Sequence, residues 1–153
     1  MPILTTPNIK DLLNDLKKTN FVTVAVKKYF PEAKHRLIFD KDITDFELGN
    51  CYKRIGYFYL PGNIPIIYTQ AIISLSKIKK ELITDLHEGK VPFGGLLREH
   101  CPRSIIESKT ITFEEKVKLP DYFYTIAKER FVSQHKRYII VDGKKVAIVI
   151  EYI

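Results

Sequence analysis

Apolar residues recur along this chain with two different periods, and the switches between them divide it into helices and strands. Ile9, Leu12, Leu13 and Leu16 stand three and four residues apart behind Asn8, a helix-capping residue type, so the spacing predicts an amphipathic helix over 8–18. The stretch Phe21 to Tyr29 is β-branched yet runs into KKYFPE; a helix after Thr23 is the reading adopted. His35 to Phe39 reads as a short strand. Two β-rich runs follow, Tyr52 to Leu60 and Ile64 to Ser74, joined by Pro61-Gly62-Asn63. That turn predicts a long antiparallel hairpin, because glycine supplies the positive φ such a turn needs. Lys77 to Glu88 carries Ile78, Leu82, Ile83 and Leu86 on one stripe and is expected to be a helix ended by Gly89. Pro92-Phe93-Gly94-Gly95 is expected to open a second helical stretch, Leu96 to Cys101. Ile105 to Val117 alternates like a strand, and Pro120 to Phe131 reads as a helix with proline in its first turn. A second hairpin closes the chain: Arg137 to Val141, Asp142-Gly143, Lys145 to Tyr152. Strands that come as hairpins, with helices inserted between them, predict an α+β fold on a single antiparallel sheet.

Composition narrows this picture without changing it. The 153 residues suit one domain spanning 1–153, and 45% hydrophobic with 28% charged residues is the balance of a globular chain. The apolar runs fall short of the roughly 18 residues of a membrane span, and MPILTTPNIKDLL lacks a secretory pattern, so a cytoplasmic address is expected. Cys51 and Cys101 form no CxxC pair, and His35, His87, His100 and His135 show no metal-ligand spacing, so no metal is assigned. The net charge of +7 favours anionic partners. Its lysines and arginines are spread in pairs among acids, however, which suits a solvated surface better than a nucleic-acid interface.

Three features carry candidate chemistry. In VAIVIEYI, Glu151 shares a strand face with Ala147 and Val149, while Val146, Ile148 and Ile150 share the other. With both faces apolar the strand is expected to be central, and Glu151 is either a solvated strand end or a carboxylate held inside for acid-base work. Arg54 poses the same problem in CYKRIGYFYL, on the face of Tyr52, Gly56, Phe58 and Leu60. Its planar fork suits a carboxylate; the alternative is a structural ion pair, with Glu151 as one candidate partner. The third is GKVPFGGLL, Gly89 to Leu97, whose glycines before a helix start leave backbone N–H groups free to meet an anion.

In order and spacing, YKRIGYFYLPGNIPIIYTQAIISLS, KVPFGGLLRE and KRYIIVDGKKVAIVIEYI resemble the chorismate pyruvate-lyase family, from about residue 20 to the C-terminus. The resemblance implies a cofactor-free elimination of pyruvate from the dicarboxylate chorismate to give 4-hydroxybenzoate. It further implies that Arg54 holds the ring carboxylate and that Glu151 meets the oxygen at the opposite end of the ring. Phe93 stands where members usually have leucine, in a turn whose backbone helps bind the carboxylate, with Gly94 following. Val22 resembles a backbone contact near the N-terminus, and Arg137, after Lys136, resembles a basic pair that serves the enolpyruvyl carboxylate or the fold. The turn reads Asp-Gly-Lys-Lys where many members have Gly-Lys-Pro. The same fold resembles the effector-binding domains of bacterial transcription regulators, so a non-catalytic small-anion binding domain is the second expectation. Such regulators usually carry a separate DNA-binding domain, and none is expected within these 153 residues. A basic nucleic-acid-binding module is a third reading, and neither nucleic acid nor membrane is the expected partner.

Overall fold

The computed structural model describes residues 6–16, 22–88 and 91–153, the side chains of 6–9, 23 and 24 excepted. The described residues form helices α1 (Thr6–Leu16), α2 (Val22–Tyr29), α3 (Lys80–Glu88) and α4 (Phe93–His100). They also form strands β1 (Lys34–Asp45), β2 (Gly49–Leu60), β3 (Ile64–Ser74), β4 (Ile106–Lys118), β5 (Phe131–Val141) and β6 (Lys144–Tyr152). The strands make one antiparallel sheet in the order β1-β2-β3-β6-β5-β4. This is the expected α+β architecture, and both expected hairpins are present. Gly62 and Asn63 turn the first with φ of 88° and 57°, while Asp142 and Gly143 turn the second with φ of 49° and 80°. Asp and Asn tolerate this left-handed backbone better than other residues with a Cβ, which is why the turns sit at those positions.

Four expectations are corrected. The first helix begins at Thr6, so Asn8 lies within it and is not its cap; its expected end at Lys18 lies outside the described residues, as do Phe21 and the Gly89 stop. The strand read over His35 to Phe39 continues to Asp45. The charged KDITD segment hides this extension, since charges on a sheet edge read as loop although they protect the edge from other chains. α4 starts at Phe93 rather than Leu96. The largest difference is the helix expected over Pro120 to Phe131, which is a single 3-10 turn, Asp121–Phe123, followed by β5 from Phe131. Extended pairing of Phe131 with Lys118, and of Gln134 and His135 with β6, outweighs the local helical preference.

The two sheet faces are covered differently. On one, Ile55, Tyr57, Tyr68, Ile148, Ile150 and Tyr152 pack beneath Leu119, Phe123 and Ala127 of the β4–β5 connection. Phe123 meets the rings of Tyr68 at 5.1 Å, Tyr122 at 4.8 Å and Tyr152 at 5.9 Å. On the other face, α1 and α2 cover Phe58, Leu60 and Ile67, with Leu12, Leu16 and Val26 as their buried contacts. α3 and α4 cover Tyr52, Ile73, Ile139, Ala147 and Val149 through Leu82, Leu86, Phe93, Leu96 and Leu97. α2 touches α4 between the two helix pairs. Below that junction the middle of the sheet is not filled by side chains. No helix among the described residues is long and apolar enough to cross a membrane.

Phe123 is fully buried and joins the connection to three tyrosines, so Phe123→Ala is expected to destabilise the fold by about 3–5 kcal/mol. A fall in the urea midpoint with an unchanged slope checks this; a loss below about 1 kcal/mol would show that the connection is not part of the core.

Candidate functional site: a pocket beneath the α4 N-terminus

Between the helix pairs lies a pocket, part of it open to solvent. Its floor is the sheet: Arg54, Gly56 and Phe58 of β2, Thr69 and Ala71 of β3, Arg137 and Ile139 of β5, and Val149 of β6. The period-two alternation of these four neighbouring strands points all of them to one face. Pro92, Phe93, Gly94 and Leu97 form the roof, and Val22 of α2 and His35 of β1 close one side.

Arg54 is the singular group here. Placed mid-strand between Asp40 of β1 and Ala71 of β3, it is only 4% exposed. Its Nη1 donates to the Val91 carbonyl at 3.1 Å, which ties it to the start of α4. Nε and Nη2 have no partner among the described residues, and no described carboxylate lies within ion-pair distance. Burial lowers its pKa below the ordinary arginine value; Tyr52 and Asp40 act the other way. Tyr52 donates its hydroxyl to Asp40, whose carboxylate is thereby engaged outside the pocket. Across from Arg54, the first intrahelical bond of α4 runs from Leu96 N–H to Pro92 O at 3.1 Å. Pro92 caps the helix with no side-chain bond, so Phe93, Gly94 and Gly95 present first-turn N–H groups that the helix itself cannot satisfy. A buried cation and a helix start thus face one apolar space.

Glu151 is placed elsewhere. It is fully buried, yet it does not line the pocket. Its Oε1 lies 3.2 Å from both His135 Nδ1 and Arg137 Nε, with Oε2 3.4 Å from that Nε. His135, level with Glu151 across the β5–β6 ladder, shares a hydrogen with Thr110 Oγ1 through Nε2 at 2.8 Å. The ion pair considered between Arg54 and Glu151 is therefore not formed; Arg137 is the arginine on Glu151. Arg54, Phe93, Gly94, Val22 and Arg137 meet at the pocket, while Glu151 stands behind Arg137.

Two residues escaped the sequence reading. His35 sits over Gly56 and meets Phe58 edge to face at 5.0 Å. A Cβ at Gly56 would come within 2.6 Å of Arg36 O and 2.8 Å of the imidazole Cε1 and Nε2. The signal available was a glycine inside a strand, which marks a close approach. Burial and then Arg54 push the His35 pKa down to about 4, so the ring is neutral at neutral pH. His135 was hidden because β5 was started too late; extending the alternation back from Ile139 and Arg137 reaches it. Away from the pocket, Asp85, Glu99 and His100 bring their ligand atoms within 4.8 Å of one another. Their separation in the chain conceals this grouping, and His100 Nε2, 2.6 Å from Asp85 Oδ2, ties α3 to α4.

A single antiparallel sheet with helices on one face, enclosing a pocket with a buried cation, defines a class by architecture: the chorismate lyase-like α+β fold. Solved structures agree with this. The ligand-binding domain of a regulator assigned to the GntR family from Bordetella bronchiseptica matches with a TM-score of 0.60 over 79% of this chain and 85% of that one, at 12% identity. The effector domain of PhnF from Mycobacterium smegmatis matches with a TM-score of 0.60 over 86% of each chain, at 11% identity. A GntR-family regulator from Bacillus cereus matches with a TM-score of 0.54 over 79% of this chain and 90% of that one, at 14% identity. No protein-family model and no curated protein matches the sequence. At these identities the likeness defines the fold.

The His35 value makes stability depend on pH. The unfolded chain, with a histidine pKa near 6.5, takes up its proton before the folded one does, so this contribution is complete above pH 6.5 and is lost as pH falls towards 4. The loss is expected to reach roughly 3 kcal/mol at most. Urea unfolding at pH 7 and 4.5 checks it: the difference between the two pH values should shrink in His35→Gln, and an equal difference in both proteins would show that His35 titrates normally.

Proposed function

We propose that this chain is a non-catalytic binding domain for a small organic anion, whose carboxylate is held by Arg54 and the first-turn N–H groups of α4 while its apolar body fills the pocket. The observation that carries the reading is Arg54 itself: a guanidinium 4% exposed that lines an apolar pocket, with two donor nitrogens that have no partner among the described residues. Burying a cation costs several kcal/mol unless an anion compensates, and each unsatisfied donor adds about 1–3 kcal/mol. The fold neighbours support the reading, since their names describe ligand-binding and effector domains.

The finer reading, a chorismate pyruvate-lyase, is supported by the positions of Arg54, Phe93 and Gly94 at one pocket. It requires in addition a carboxyl that reaches the ether oxygen of the substrate, and the one positioned by the family resemblance, Glu151, is engaged by Arg137 and His135. The binding reading needs no such group. Soluble small molecules, and not nucleic acid or membrane, are the proposed partners in both.

Incubation with chorismate, following pyruvate and 4-hydroxybenzoate together, separates the two. The binding domain is expected to release neither above the uncatalysed rate, and to bind 4-hydroxybenzoate with an affinity that falls roughly 10- to 100-fold in Arg54→Ala, the range for a charge-assisted hydrogen-bonded pair. Stoichiometric release of both products, abolished by Glu151→Gln, would establish the lyase instead.

A further inference from the structure

The charges around the pocket specify more than an anion. Among the described lining residues there is no Asp or Glu, and the cations are Arg54 and Arg137. Arg137, 1% exposed, has its Nε against both oxygens of Glu151, so those two charges form a pair within the wall. His135, against Glu151, and Thr110, against His135, bring no further acid. Thr69 offers a hydroxyl already donated to Gly56 O at 3.3 Å. His35 is uncharged at neutral pH. What remains among the described lining residues is one cation without an ion-paired acid, Arg54; Asp40, level with it on β1, stands outside the lining and is engaged by Tyr52, and the apolar wall includes Phe58, Phe93, Leu97, Ile139 and Val149.

We infer that the pocket selects monoanions, a single carboxylate on an apolar or aromatic body with an uncharged far end, and that Glu151 sets this selectivity by cancelling the charge of Arg137. The inference rests on the proposed anion site at Arg54 and adds a limit to it. A second carboxylate entering the same space would give up its water and find, among the described residues, no second unpaired cation to replace it. Glu151 then has a role that involves no proton transfer: it stands where it decides how many negative charges the pocket tolerates. Removing its charge leaves Arg137 uncompensated at the wall, which should favour a ligand with two.

Four probes test this by calorimetry on the whole chain at pH 7.5: benzoate, the neutral benzamide, terephthalate, and monomethyl terephthalate, which keeps the length of terephthalate with one charge. Benzoate and monomethyl terephthalate are expected to bind, with benzamide and terephthalate each weaker by at least about tenfold, the scale of one poorly compensated buried charge or lost ion pair. In Glu151→Gln the ratio of terephthalate to benzoate affinity is expected to rise at least about tenfold; a merely structural loss would weaken both alike and leave the ratio unchanged. Terephthalate binding as tightly as benzoate in the unaltered protein, with both weakened by Arg54→Ala, would overturn monoanion selection and leave the anion site standing. Equal weakness of terephthalate and its monomethyl ester would show exclusion by size and overturn the charge argument. Benzamide matching benzoate, benzoate binding indifferent to Arg54→Ala, or no benzoate binding at millimolar concentration would overturn the anion site and the inference with it. The four-ligand comparison in the unaltered protein decides the question even if Glu151→Gln does not fold.

Discussion

The middle strands β2, β3 and β6 are packed on both faces, so every charged side chain that points inward from them or their neighbour β5 loses its water and requires a substitute. Three such groups occur, and they resolve the requirement in two ways. Arg137 and Glu151 answer each other, with His135 on the second side of the carboxylate. Arg54 has, among the described residues, the Val91 carbonyl as its hydrogen-bond partner and no ion-paired acid. A fold that satisfies one buried arginine with an acid and leaves the other facing a cavity has separated a structural ion pair from the proposed binding group, although the two arginines are alike in burial.

The same constraint explains the arrangement of the helices. α1 and α2 dock on the turn end of the β2–β3 hairpin, and α3 and α4 dock on the opposite end of the same face, each pair burying its own cluster of leucines. Neither pair reaches the centre, where Gly56 and Ala71 keep the floor low and Arg54 rises between them. The bond from Arg54 to the residue preceding Pro92 then fixes the start of α4 over that gap. Cation and helix dipole face the same space because one holds the other in place, which preorganises the site before a ligand arrives.

Particular residues show how far the sequence could be read. The two hairpins were legible because their turns need positive φ and display Gly62, Asn63, Asp142 and Gly143 to supply it. The pocket face of β2 and β6 was legible from alternation alone, which put Arg54 beside Gly56 and Phe58, and Glu151 beside Val149. The false helix over Pro120 to Phe131 has the opposite origin: its local pattern was helical, and strand pairing with β4 and β6 overrode it. His135 was lost because the strand was begun at Arg137 and not at its true start, Phe131.

By itself, then, the sequence determined which residues lie on which face, where the chain reverses, and that an arginine and a glutamate share strand faces with apolar neighbours, leaving open whether the glutamate is buried. These are consequences of local periodicity and turn chemistry. Which charge meets which was settled only in three dimensions. Arg54 and Glu151 lie on strands separated by β3, whereas Arg137 lies on β5, hydrogen-bonded to β6, and the register sets His135 level with Glu151. Strand order and register are products of the whole sheet, not of any segment, and they alone decided that Glu151 pairs with Arg137 while Arg54 meets no acid in an ion pair among the described residues.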